Sequence, residues 1–235
     1  MNDLVCDMIM DLKYNKIDDL GTKNEEYNLR HQSFISQLNS IIDNIQTAAV
    51  TKRDCDGIEG LWYIKNYLTN EELAMIKEKL DTEIELEPLS KSTNSRRVAH
   101  YGYYYSYDRS GLNEAPAMPE YLAKLVTNKR INTVTGTSIV DKTFEQLIIN
   151  EYKPGQQIAY HTDHIKQFGP VIACITIGKS VPIKFKYGTI EKSVEIEPGS
   201  MYIMTGDARY KWQHSLKNTS ESNRYSLTYR TVNKN

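Results

Sequence analysis

The sequence predicts an α+β chain: a β-barrel-like core over its C-terminal part, entered through flanking helices and preceded by a helical extension. Three observations carry this. Between Gln146 and Val232, short β-branched or aromatic runs alternate with Gly, Pro and Ser, the rhythm of an all-β barrel or sandwich. Upstream, Thr69-Asn-Glu-Glu72 has the form of a capping box, with Leu68 and Leu73 spaced for a hydrophobic staple. Before that, Phe34, Leu38, Ile41, Ile42 and Ile45 recur at helical spacing. The chain therefore divides into a helical extension over residues 1–50 and a folded domain over residues 57–235.

In chain order, Leu4, Met8 and Leu12 suggest a short helix ahead of the one through Phe34, and Lys52-Arg-Asp-Cys-Asp56 reads as a polar connection. Gly60 to Thr69 forms a short strand, and the capped helix runs to about Leu80, burying Leu73, Ile76 and Leu80. Arg96 to Arg109 interleaves tyrosines with arginines and His100. Rings stack on bases while guanidiniums hold phosphates, so this stretch suits a nucleic-acid surface. Strands also use tyrosine for ordinary packing. Alternation would put Tyr101, Tyr103, Tyr105 and Tyr107 on one face, with Tyr104 opposite. A second helix runs from about Pro119 to Asn128 with Leu122, Leu125 and Val126 inward, and Gly136 breaks the chain before the core.

The first core strand begins at Gln146 and ends at the Pro154-Gly155 turn, with Asn150 and Tyr152 on one face. That turn returns the chain into His161-Thr-Asp163. Residues two apart in a strand share a face, so His161 and Asp163 point the same way. With His214 they make two imidazoles and one carboxylate, a facial set that suits non-haem Fe(II) with open positions for a co-substrate and O2. Further strands lie at residues 171–178, 183–187 and 198–206. In the last strand Arg224, Ser226, Thr228 and Arg230 share a face, and Tyr225, Leu227 and Tyr229 share the other. An edge strand with a wet, basic face would look similar. Beside a metal triad, the two guanidinium forks fit the carboxylates of a dicarboxylate co-substrate better.

Composition sets outer limits. A net charge of -1 gives no global attraction to nucleic acid, so any such binding rests on a local patch. Cys6, Cys55 and Cys174 are too scattered for a zinc site or a disulfide framework, which suggests a reducing intracellular setting, cytoplasmic or nuclear. No apolar run reaches the about 18 residues of a membrane span, so no membrane association is expected.

Taken together, Asn150-Glu-Tyr152-Lys-Pro-Gly155, His161-Thr-Asp163, Gly206-Asp-Ala-Arg209-Tyr-Lys-Trp-Gln-His214 and the Arg224/Arg230 pair resemble the AlkB-like family of 2-oxoglutarate- and Fe(II)-dependent dioxygenases. The resemblance implies a double-stranded β-helix (jelly-roll) core with flanking helices. It implies that His161, Asp163 and His214 hold Fe(II), and that Arg224, helped by Tyr152, takes the distal carboxylate of 2-oxoglutarate. Asn150 and Arg230 would lie near its iron-bound end, with O2 as the second co-substrate. Gly102-Tyr-Tyr-Tyr-Ser106 with Pro116-Ala-Met-Pro119 is similar to the family's nucleotide-recognition segment, which makes Tyr103, Tyr105 and Arg97 substrate candidates. The implied activity is demethylation or hydroxylation of a modified base, in DNA or RNA, presented single-stranded or flipped out. A protein or small-molecule hydroxylase, or an inactive binding module, are the alternatives. In the bacterial repair members an acidic residue two positions after the metal Asp reads the damaged base; here Ile165 stands there, so that contact does not carry over. The segments Arg97 to Gly102 and Gly206 to His214 are closer to members that hydroxylate the wobble uridine of tRNA.

Overall fold

The computed structural model describes residues 32–37, 49–92, 95–105 and 112–233. The chain falls into two compact units, Met1–Gln46 and Thr47–Asn235. In the first, residues 32–37 are helical. The remaining expected N-terminal helix positions (Leu4, Met8, Leu12, Leu38, Ile41, Ile42 and Ile45) lie outside the described residues, as do Tyr107 and Arg109.

The second unit is built on two antiparallel sheets. The larger has eight strands, in the order β1 (Val50–Lys52), β2 (Leu61–Lys65), β12 (Met201–Met204), β9 (Phe168–Ile177), β14 (Arg224–Val232), β7 (Gln146–Tyr152), β4 (Arg97–Tyr101) and β3 (Glu87–Pro88). The smaller has four: β11 (Ile190–Ile196), β10 (Val181–Tyr187), β13 (Gln213–Lys217) and β8 (Gln157–His161). A short hairpin, β5 (Tyr103–Tyr105) with β6 (Leu112–Glu114), stands apart. This arrangement is a jelly roll with few helices.

Each face of the large sheet buries a different set. On one side Tyr225, Leu227 and Tyr229 join Leu147 and Ile149 beneath helix α1 (Asn70–Thr82), helix α2 (Glu120–Ala123) and helix α3 (Asn128–Thr135), which contribute Ile76, Leu80, Leu122 and Ile131. On the other side Ile172, Cys174 and Tyr202 meet Ile183, Phe185 and Leu216 of the small sheet. Fully burying each such aliphatic side chain contributes about 1.5–3 kcal/mol, so alternation along these strands sets their register.

The helices follow local rules. Thr69 accepts from the Glu72 amide at 3.2 Å and Glu72 accepts from the Thr69 amide at 3.0 Å, completing the expected capping box. Ile76 and Leu80 are buried as expected, and Leu73 packs at the margin of the core. Thr69→Ala should lower stability by about 1 kcal/mol, measured as a shift in the urea midpoint at constant slope. The expected helix from about Pro119 to Asn128 is present as α2 continued by a 3-10 turn over Lys124–Val126, with Leu122, Leu125 and Val126 buried as expected. Thr127, extended at ψ 144°, ends it and caps α3, which was not expected, by accepting from the Arg130 amide at 3.3 Å. Strands β11 and β13 were not foreseen from the sequence, since their polar residues mask the alternation. Strand β14 is not an edge: it lies between β9 and β7 and every residue in it is buried. No helix among the described residues is long and apolar enough to cross a membrane.

Candidate active site

The register of β7 against β14 aligns Arg224 with Tyr152, Ser226 with Asn150, Thr228 with Ile148 and Arg230 with Gln146. One face of the two strands therefore carries all four expected co-substrate residues. Asn150, Tyr152 and Arg230 of this face line a cavity of about 680 Å³, with Ile148, Ser226, Thr228 and Tyr202, and with Ile158, Tyr160, Ile183 and Leu216 of the small sheet opposite; Arg224, on the same face, is fully buried and is not among the lining residues.

Strands β8 and β13 bring the three candidate metal ligands together at one end of this cavity. His161 and His214 are directly paired across the strands, with ring centroids 4.3 Å apart. Asp163 follows β8, and one donor atom from each of the three residues lies within 4.8 Å of the others. His161 Nδ1 is 2.9 Å from the Ala159 carbonyl, which can only accept, so Nδ1 carries the proton and Nε2 is left as a lone-pair donor. His214 Nε2 faces Asp163 Oδ2 at 3.6 Å. Burial, with the His161 ring nearby, lowers the His214 pKa to about 3, keeping the imidazole neutral as ligation requires. Burial alone would raise the Asp163 carboxyl, but Arg230, the two histidines and Arg209 hold it well below the usual range.

Two buried guanidiniums, Arg230 and Arg209, act on that carboxylate, and a third, Arg224, is buried at the other end of β14. Arg230 donates from Nε to Asp163 Oδ1 at 2.7 Å and from Nη1 to Gln146 Oε1 at 3.0 Å, and lies over the Phe168 ring. Arg209 is 1% exposed and bonds only carbonyls. Arg224 is 0% exposed, donates from Nη2 to Thr176 Oγ1 at 3.2 Å, and has Nε and Nη1 without a partner. A buried, partly unsatisfied guanidinium is costly, which fits a site whose missing partner is an anion. The donor set and this orphaned fork fit Fe(II) and a dicarboxylate together.

The substrate candidates fare unevenly. Arg97 is not brought to the cavity: its fork pairs with Glu151 through 2.5 and 2.7 Å bonds, on the face opposite Asn150. Its neighbour Arg96 lines the cavity instead and donates to Asn150 Oδ1 at 3.0 Å. The expected single tyrosine face is broken at Gly102, whose φ of +75° separates β4 from β5. A side chain there would meet the Glu145 carbonyl at 1.9 Å. Tyr103 is half-buried, and its carbonyl accepts from Gln146 Nε2 at 3.5 Å, but it is not among the described residues lining the cavity. Tyr105 lies in β5, with its side chain outside the described residues. Gln146 and Arg209 were not singled out from the sequence for any role; Gln146 Oε1 faces Arg230 and its Nε2 faces the hairpin, so it links β5 to Asp163.

The half-buried imidazole of His100 is pushed down to about 4, by burial first and then by the Arg230 charge. His100 and His214 therefore stay neutral in the native protein where the unfolded chain, near pKa 6.5, is protonated. Below that value the unfolded state binds more protons, so stability of the metal-free protein should fall steadily as pH drops from about 6.5 toward 4. Urea midpoints at pH 7 and pH 5 check this, the lower pH giving the lower midpoint.

The 2OG-Fe(II) oxygenase superfamily model matches residues 60–230 of this chain. A tRNA (carboxymethyluridine(34)-5-O)-methyltransferase alkbh8 of Xenopus tropicalis is 28% identical over 159 residues, covering 67% of this chain and 25% of the relative. The chain thus spans about a quarter of that relative's length. An uncharacterized protein of Acanthamoeba polyphaga mimivirus is 30% identical over 154 residues, covering 58% of this chain and 70% of that protein. Among solved structures, OsALKBH1 shares the fold at a TM-score of 0.58 and 14% identity, covering 73% of this chain and 96% of that one. With the facial His–Asp–His set and the jelly roll that carries it, these matches place the chain in the 2OG-Fe(II) oxygenase superfamily, as an AlkB-like dioxygenase that uses Fe(II), 2-oxoglutarate and O2.

Proposed function

We propose that the protein oxidises a modified base in single-stranded or flipped-out nucleic acid, RNA before DNA, by demethylation or hydroxylation. Residues 57–235 act as the dioxygenase domain. The observation that carries the nucleic-acid reading is Arg96 at the cavity wall, with its guanidinium 6.0 Å from the centre of the Tyr152 ring, next to the tyrosine-rich β4–β5 segment. A cation and aromatic rings beside a deep cavity suit a phosphate and a base taken out of its stack. The relatives named for work on tRNA support RNA as the first class to test.

In this reading His161, Asp163 and His214 hold Fe(II). Arg224 offers its unpartnered Nε and Nη1 to the distal carboxylate of 2-oxoglutarate, beside the Tyr152 hydroxyl. Asn150 and Arg230 lie toward the metal end, where Arg230 also fixes the Asp163 carboxylate. When bound, iron and 2-oxoglutarate direct one oxygen atom of O2 to a substrate C–H bond and the other to the co-substrate, which becomes succinate and CO2. Oxidation of an N-methyl group releases formaldehyde, whereas oxidation of a carbon substituent leaves a stable alcohol. Ile148, Ile158, Ile183 and Leu216 give the cavity an apolar wall beside the metal ligands.

A second reading, hydroxylation of a protein side chain, has one observation in its favour. A groove lined by Glu83, Glu85, Glu87, His100 and Tyr104 shares Leu89 with the cavity, and its carboxylates would repel a phosphate backbone. Incubation with Fe(II) and 2-oxoglutarate in air, offering tRNA, methylated single-stranded RNA and DNA, and a peptide pool, decides between them by mass spectrometry. The nucleic-acid reading expects an added oxygen or a lost methyl group on a nucleoside. Modification confined to peptides would overturn it.

A further inference from the structure

We propose that Arg209 is a positioning residue for the metal site, holding the loop that presents Asp163 in its ligating geometry. The inference rests on the reading of Asp163 as a metal ligand.

Residues 162–167 connect β8 to β9, and the turn is closed on itself: the Phe168 amide donates to the His164 carbonyl at 3.1 Å, and the Gln167 amide to His164 Nδ1 at 3.2 Å. Arg209 comes from helix α4 (Gly206–Tyr210), elsewhere in the chain, and closes this loop from one side. Its Nη1 donates to the carbonyl of Asp163 at 2.9 Å and its Nε to that of Gly169 at 3.2 Å. Its Nη2 donates to His164 at 3.4 Å and to Phe168 at 3.3 Å. One planar guanidinium thus spans both ends of the loop, which only a fork of several donors can do.

No carboxylate is among these hydrogen-bond partners, although Asp163 lies close enough for its charge to favour the protonated guanidinium. A buried arginine satisfied only by carbonyls is an expensive way to tie a loop, since an apolar side chain or an asparagine would desolvate less. The arrangement is accounted for if both the geometry and the positive charge serve the anionic ligand at the start of the loop. Arg230 bonds the Asp163 carboxylate itself and lies over Phe168 at the loop's far end. The two arginines thus act on different parts of one residue. Arg230 orients the Asp163 carboxylate, and Arg209 fixes the backbone that carries it. Outer-shell partners of this kind typically set metal affinity by about 10–100-fold.

The test is Mn(II) binding to the full chain, followed by calorimetry and by the electron paramagnetic resonance of free Mn(II), with thermal melting beside it. Arg209→Lys keeps the charge but not the fork, and Arg209→Met keeps neither. Mn(II) affinity should fall about tenfold or more in the Lys variant and further in the Met variant. Asp207→Ala breaks the Lys211–Asp207 ion pair on α4 without touching the loop and controls for simple loosening of the helix. If it weakens Mn(II) binding as much as Arg209→Lys does, or if a folded Arg209→Lys protein binds Mn(II) as the parent does, the inference fails. Should the Met variant not fold, the Lys comparison alone decides. Asp163→Asn separates the two ideas: unchanged Mn(II) affinity in that variant overturns the ligand reading itself, whereas a loss there with none in Arg209→Lys overturns only the role of Arg209.

Discussion

Asp163→Asn should reduce Fe(II)-dependent succinate formation by more than about 100-fold, because it removes the only carboxylate of the facial set while leaving an acceptor for Arg230. The asparagine is the informative variant. Asp163→Ala would also leave the Arg230 guanidinium buried without its anion, at a cost of about 3–5 kcal/mol, so a loss of activity there would mix chemistry with folding. Succinate formation measured with saturating Fe(II) and 2-oxoglutarate, alongside a melting curve, separates the two. Wild-type turnover by the Asn variant would mean that the metal sits elsewhere.

Arg224 should show the opposite balance of stability and function. It is fully buried and two of its nitrogens lack partners, so Arg224→Met removes a desolvated charge and fills the space with apolar atoms. The metal-free variant should melt no lower than the parent. Its use of 2-oxoglutarate should nevertheless collapse. Arg224→Lys keeps a cation but loses the bidentate fork, worth about 1.5–3 kcal/mol for hydrogen bonds to a charged group, so KM for 2-oxoglutarate should rise about 10–100-fold. Initial rates across a 2-oxoglutarate series give KM and kcat separately, and an unchanged KM would move the anchor to another cation, with Arg230 the first to examine.

The strands and faces that build the site were legible because period-two alternation is a local property. Arg224, Ser226, Thr228 and Arg230 share a face from sequence alone, and so do Asn150 and Tyr152. The pairing in β7 and β14 then brings the two sets side by side. What alternation cannot supply is the absolute face of a strand whose partner is unknown. The start of β4 shows this: Arg96, just before the strand, lines the cavity and bonds Asn150, whereas Arg97, its first residue, is paired with Glu151 and bonds it on the other face. Gly102 hid a second turn of the chain, because its positive φ resets the alternation on which the tyrosine face depended. Arg209 stood in a quoted motif without a role, since its four bonds are to backbone carbonyls, which every residue has and no pattern marks. Strands β11 and β13 escaped notice for the complementary reason: they are half-exposed and have few inward apolar residues, with Lys192 on the face of Val194 and Ile196 in β11 and His214 beside Leu216 in β13.

If His161, Asp163 and His214 hold a metal at one end of a 2-oxoglutarate molecule whose other end reaches Arg224, then metal and 2-oxoglutarate must bind cooperatively. Calorimetric titration of 2-oxoglutarate into the protein without turnover, in the absence and presence of Mn(II), reads that cooperativity. The parent should bind 2-oxoglutarate tightly only with Mn(II) present. Asp163→Asn should lose the metal dependence, and Arg224→Lys should keep it at weaker affinity. Binding of equal strength with and without Mn(II), or an Arg224→Lys variant indistinguishable from the parent, would refute the shared site.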